Sequence, residues 1–209
     1  MSKVLLINGS PHKTGCTAEA LGEMIKIFEK HGVEYTLLQT GKENVRGCIS
    51  CGYCETHGEC VFGNDLVNEA GRLFKEADGL VVGSPVYYGS PNGNLISFLD
   101  RLFYCTSFSK HMKVGAAVVS CRRGGNTSSF DVLNKYFTIS GMPVASSTYW
   151  NMVHGFTAED VKHDLEGLQT MRNLAENMVF LMKAIKDAGE KYGYPAMEKG
   201  AFTSFPDGK

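Results

Sequence analysis

Lys3-Val4-Leu5-Leu6-Ile7-Asn8-Gly9-Ser10-Pro11-His12-Lys13-Thr14-Gly15-Cys16-Thr17 begins as an apolar run and ends in small and hydroxylated residues. An amphipathic stretch follows at once. Ala20, Leu21, Met24, Ile25, Ile27 and Phe28 recur at the three- and four-residue spacing of a helix, over Thr17–His31. A buried-type strand, a loop of small residues and a helix start form one unit. Such a loop lets backbone N–H groups approach an anion, and the helix adds its positive dipole end. Ser10, Thr14 and Thr17 add hydroxyls, so the loop has the physical attributes of a phosphate cradle. An ordinary capped helix start would look similar.

The same unit recurs along the chain. Strands are expected at Val33–Thr40, Gly79–Ser84, Lys113–Ser120 and Met142–Tyr149, and helices at Asn64–Ala77, Asn94–Phe103, Thr127–Ser140 and Ala158–Ala188. Alternating strands and helices imply a parallel sheet covered on both faces. Ligands in such folds sit beyond the carboxyl ends of the strands. The loops to examine are therefore 9–16, 41–63, 84–93, 121–126 and 150–157. The second is long for a structureless connection, which points to function. Met178–Met182 is apolar almost all round, and a neighbouring subunit is its expected cover. A homodimer or homotetramer is the resulting expectation.

Composition narrows the function classes. A formal charge of −1 makes phosphate-driven nucleic-acid binding and polybasic membrane anchoring poor readings. With 43% hydrophobic and 21% charged residues, the 209-residue chain can bury a core rather than stay disordered. No apolar run approaches the ~20 residues of a membrane span. Val4–Ile7 is short for a secretory signal. A cytoplasmic location is expected.

The first loop is not a nucleoside-triphosphate loop, because Cys16 stands where that motif has its Lys, and it contains no G-x-G-x-x-G. A hydroxyl-rich cradle without a dedicated Lys suits a single phosphate monoester such as that of FMN. After the third strand comes Ser84-Pro85-Val86-Tyr87-Tyr88-Gly89-Ser90, whose amides and aromatic faces suit a planar heteroaromatic ring. Four of the seven cysteines crowd into Cys48-Ile-Ser-Cys51-Gly-Tyr-Cys54-Glu-Thr-His-Gly-Glu-Cys60, a C-x2-C-x2-C-x5-C pattern in the long second loop. Three closely spaced cysteines and a fourth can wrap a cubane [4Fe–4S] cluster. Zinc, with His57 replacing one cysteine, a Cys51/Cys54 dithiol, and cysteines that hold no metal remain alternatives.

Gly9–Thr17, Ser84–Ser90, Phe98-Leu99-Asp100-Arg101, and a strand ending in Ser120 before Gly124-Gly125 together resemble the flavodoxin-like NAD(P)H-dependent FMN reductases. The resemblance covers about residues 1–190, leaving 191–209 as a C-terminal tail that is expected to pack on a surface or a partner. It implies a flavodoxin-like three-layer α/β/α sandwich, with a five-stranded parallel sheet in the order 2-1-3-4-5. It also implies that Ser10, His12, Cys16, Thr17 and Ala18 surround the FMN phosphate, while Pro85, Val86, Tyr87, Tyr88 and Gly89 line the isoalloxazine. Ser120, Arg122, Arg123, Gly124 and Gly125 would close on the ring's other edge. Cys16 departs from the polar residue that relatives often carry there. The cysteine pattern is similar to the compact motif of the iron–sulfur flavoproteins.

The implied function is an FMN-dependent oxidoreductase that takes hydride from NAD(P)H and passes electrons to a small acceptor such as a quinone, azo, nitro or flavin compound. One alternative is an iron–sulfur flavoprotein carrying electrons from a ferredoxin-like donor. Another is a cysteine-based redox or metal sensor on the same fold. A simple flavodoxin-type carrier would be expected to be more acidic. His154, after the last strand, is read as structural or solvated, and no catalytic side chain is assigned.

Overall fold

The computed structural model describes residues 2–198, 200, 201 and 203. The remainder of the expected tail, residues 199, 202 and 204–209, lies outside the described residues. Five parallel strands form the sheet: β1 (Lys3–Asn8), β2 (Glu34–Gln39), β3 (Gly79–Tyr87), β5 (Val114–Cys121) and β6 (Met152–His154). The two-residue β4 (Ser90–Pro91) folds back antiparallel on the end of β3. The path is β2-β1-β3-β5-β6. With β4 set aside, this is the expected 2-1-3-4-5 order.

Strand periodicity divides the core into two layers. Val4, Leu6, Val81, Ala116, Val118 and Val153 face one side, under α1 (Cys16–Lys30) and α7 (Leu165–Tyr192). Leu5, Ile7, Leu80, Val82, Ala117 and Val119 face the other, under α3 (Val67–Glu76), α4 (Gly93–Cys105) and α5 (Asn126–Ile139). β1 and β5 are apolar almost throughout because both faces are covered. β2 lies at the sheet's edge and buries only Leu38 fully.

Three expectations are corrected. The last strand is not Met142–Tyr149. Pro143, Val144 and Ala145 make a short contact with Gly115, through Gly115 N–H to Pro143 O at 2.8 Å and Ala145 N–H to Gly115 O at 2.9 Å. The chain then leaves the sheet and rejoins it as β6 beside Val119–Cys121. Helix α7 stabilises the excursion, since Asn177 Nδ2 donates to Ser146 O and Ser147 Oγ donates to Thr170 O. The long last helix is also two helices. α6 (Ala158–His163) ends at Asp164, whose side chain caps α7 by accepting from Gly167 N–H at 2.9 Å.

The third correction concerns Met178–Met182. Met178, Val179 and Met182 are buried in the chain's own core, whereas Phe180 is 70% exposed. The methionines therefore need no subunit to cover them. Among the described residues, no helix is long and apolar enough to cross a membrane.

Candidate functional site

The carboxyl ends of β1, β3, β5 and β6 open on a cleft of about 580 Å³. The loop after β1 is folded by its own polar atoms. Asn8 Oδ1 accepts Ser10 N–H at 3.0 Å, and Ser10 Oγ accepts His12 N–H at 3.1 Å. A Cβ on Gly41 would overlap the Ser10 carbonyl, so only glycine lets the loop after β2 press against this turn. α1 then starts behind Gly15, which offers no side-chain cap. The first-turn amides remain available to an anion.

Of the residues that the resemblance implies, Ser10, His12, Cys16, Thr17, Pro85, Val86, Tyr87, Ser120 and Arg122 line this cleft. Thr17 and Ser120 share a buried hydroxyl–hydroxyl hydrogen bond of 2.8 Å that joins the first loop to the end of β5. Cys16 donates its thiol to Gly155 O at 3.6 Å, and burial pushes its pKa up, so it is a neutral wall. Arg122 supplies a positive charge, and among the described residues no Asp or Glu lines the cleft. A phosphate monoester and a flat ring fit this donor set.

Ala18, Tyr88, Gly89, Arg123, Gly124 and Gly125 do not line it. Tyr88 and Gly89 have φ of 52° and 89° and form the two-residue tip of the β3–β4 hairpin. That geometry leaves the Tyr88 side chain fully exposed. Arg123 and Gly124 are exposed, and Ala18 sits half-buried within the first turn of α1. Gly125, at φ 85°, packs directly on the hairpin; a Cβ there would lie 2.6 Å from Gly89 Cα. Ser128 Oγ donates to Gly89 O at 2.6 Å across the same junction. These two glycines shape the wall without lining it.

The loop 150–157 was marked for examination, but sequence reasoning named none of Gly155, Phe156, Thr157 and Ala158 as lining residues. A signal was present in Thr157-x-x-Asp160. Thr157 Oγ1 accepts Asp160 N–H, while Asp160 Oδ2 accepts Thr157 N–H at 2.8 Å and Phe156 N–H at 3.0 Å. Those bonds hold the Asp160 carboxyl below its usual pKa. His154 stands beside the cleft, with Nδ1 3.8 Å from Asp164.

Cys48, Cys51, Cys54 and Cys60 border a second, smaller cavity, together with Phe62, Arg101, Tyr104 and Cys105. All four are free thiols; Cys48 and Cys51 are exposed and the other two half-buried. The segment coils tightly, with positive φ at Ser50, Gly52 and Gly58 around the short helix α2 (Tyr53–His57). Cys60 is held at its backbone, where Asn68 accepts its N–H and donates to its carbonyl, both at 2.9 Å. Burial pushes the Cys105 thiol up to about 11, leaving it neutral at the cavity wall.

No three or more His, Cys, Asp or Glu side chains among the described residues are grouped to hold a metal ion. Four cysteines bordering one cavity match the number and type of donors that a cubane cluster takes. The start of α4 ties the loop after β1 to the loop after β2. Asn92 Nδ2 donates to Gly9 O at 2.8 Å, and Asn94 Nδ2 donates to Thr40 O and Glu43 O at 3.2 and 2.6 Å.

The model of the NADPH-dependent FMN reductase family matches residues 2–157. An iron-sulfur flavoprotein of Methanocaldococcus jannaschii is 32% identical over 192 residues, covering 88% of this chain and 99% of its own. One of Methanosarcina thermophila is 28% identical over 193 residues, covering 90% and 100%. Among solved structures, RosB superposes with a TM-score of 0.69 at 14% identity, covering all of this chain and 99% of its own. A flavodoxin, WrbA-like protein from Agrobacterium tumefaciens gives 0.61 at 15%, covering 90% and 99%. At these identities the structural likeness speaks for a flavodoxin-like fold alone. The sequence matches carry more, and by them the chain belongs to the NADPH-dependent FMN reductase family, among relatives named iron–sulfur flavoproteins.

Proposed function

We propose that this protein is an FMN-dependent oxidoreductase with a second redox centre, a [4Fe–4S] cluster on Cys48, Cys51, Cys54 and Cys60. It draws electrons from NAD(P)H and delivers them to a small-molecule acceptor. The observation that carries the reading is the pairing of a cleft beyond the strand ends, with no Asp or Glu among its described lining residues, with four free cysteines around a second cavity. When bound, FMN supplies hydride acceptance and one- or two-electron release, and the cluster supplies single-electron transfer.

The chain's residues do the rest. The amides and hydroxyls of Ser10–Thr17 would hold the phosphate, and Arg122 would add a positive charge to the same cleft. Pro85, Val86 and Tyr87, which line the cleft, would flank the ring and exclude water from one side of it. The open mouth of the cleft leaves room for donor and acceptor to meet the ring in turn. No side chain needs to act as acid or base.

Exposure of Cys48 and Cys51 favours a second reading of the electron source, in which a ferredoxin-like protein delivers single electrons at that surface. The test of the proposal is iron, sulfide and FMN analysis of anaerobically purified protein beside Cys51→Ser. About four irons per chain are expected in the native protein. The variant should lose most of them and keep its FMN. Equal iron in both proteins, or none in either, would contradict the cluster assignment.

A further inference from the structure

Arg101 is the bulkiest side chain among the fully buried ones, 1% exposed, and the cleft chemistry makes no use of it. It rises from α4 into the cysteine segment. Nε donates to Cys60 Sγ at 3.2 Å. One terminal nitrogen donates to Arg46 O at 3.4 Å and to Asp65 Oδ2; the other donates to Phe62 O at 3.1 Å and Asp65 Oδ1 at 3.2 Å. Arg46 precedes the first cysteine by two residues, and Phe62 follows the last by two. One guanidinium therefore clasps both ends of the segment and touches one of its sulfurs.

Asn68 also holds the segment, at the Cys60 backbone. α2 buries none of its residues. The planar fork matters here, because a lysine ammonium cannot serve a carboxylate, two carbonyls and a sulfur in one plane. The charge matters as well. Asp65, whose side chain is 6% exposed, is the compensating carboxylate. An N–H aimed at a ligand sulfur stabilises the more negative state of a cluster, and a nearby carboxylate does the opposite.

We propose that Arg101 is the positioning residue of the four-cysteine site, closing the segment around it and raising the reduction potential of a cluster bound there, with Asp65 limiting the rise. The inference rests on the cluster reading above. The step concerned is uptake of one electron, with no bond made or broken.

The test is a potentiometric titration with dithionite and mediators, followed by the absorbance and paramagnetic signal of the reduced cluster, in native protein, Arg101→Lys and Asp65→Asn. The Arg101→Lys variant keeps the positive charge near Asp65 but gives up the contact with Cys60. Its reduced-to-oxidised ratio at a fixed potential should fall by about threefold, less than a full charged hydrogen bond because both redox states keep part of it. Asp65→Asn leaves the Nε contact and removes the opposing charge, so its ratio should rise. A purely structural role would lower iron content in both variants without opposite shifts. Unchanged potentials, or shifts in the same direction, would overturn the proposal while leaving the cluster reading intact. Should Arg101→Lys fail to retain iron, the direction of the Asp65→Asn shift decides. Native protein that binds no iron or sulfide would instead overturn the cluster reading, and this inference with it.

Discussion

Gly89 and Gly125 show what one atom does at this site. Both have positive φ, and the Gly125 backbone lies against Gly89 and Val86 so closely that a Cβ would stand 2.6 Å from the one and 2.8 Å from the other. Gly125→Ala therefore forces the hairpin away from the start of α5, at about 1–3 kcal/mol of strain. The flavin-free variant should melt several degrees lower, since each kcal/mol moves a chain of this size by about 2–4 °C. An unchanged melting temperature would contradict the packing described. These two residues were expected to line the ring because their motif is local. Their actual role is a contact between two loops, which no single stretch of sequence displays. Ser10–Thr17 stood out because its small and hydroxylated residues are contiguous, although Gly41 and Asn92 from other segments also shape that loop. Arg101 was visible only as part of a helix motif, because its partners lie 36 to 55 residues away.

At the scale of elements, helix and strand alternation was readable wherever apolar periodicity was continuous. It failed where side chains from another element decide the path. Met142–Tyr149 looks like a strand, yet Pro143 lacks an N–H and Asn177 and Thr170 of α7 hold Ser146 and Ser147 out of the sheet. The result is a short β6 and a projecting Tyr149–Trp150 pair, each more than half exposed. The break between α6 and α7 is a capping effect of Asp164, hidden inside one long apolar repeat. Met178 is where α7 meets the sheet, close to Gly79. Met178→Ala should lower stability by about 2–5 kcal/mol, as for a fully buried large-to-small change. Thermal unfolding would show this, with bound FMN unaltered below the transition. A loss of subunit association without a loss of stability would restore the interface reading of that stripe.

At the scale of the whole molecule, repeated strand–helix units account for a parallel sheet covered on both faces, whereas its order 2-1-3-4-5 was implied by the resemblance to the flavodoxin-like reductases. Assembly is different, because it depends on what remains uncovered. Phe180, Phe156, Trp150 and Tyr88 are exposed aromatics on the finished surface. We propose that a second copy covers part of them. Light scattering should then return a multiple of 22.8 kDa, and a monomer at micromolar concentration would contradict it.

Fold and family support a flavin-dependent oxidoreductase, and the proposed reductant of its flavin is a nicotinamide. The most direct measurement is the anaerobic absorption spectrum of the FMN-loaded protein before and after NADPH. The account predicts flavin bands that bleach on addition of NADPH and return with an electron acceptor. Protein that takes up no FMN, or flavin bands that NADPH and NADH both leave untouched, would contradict it.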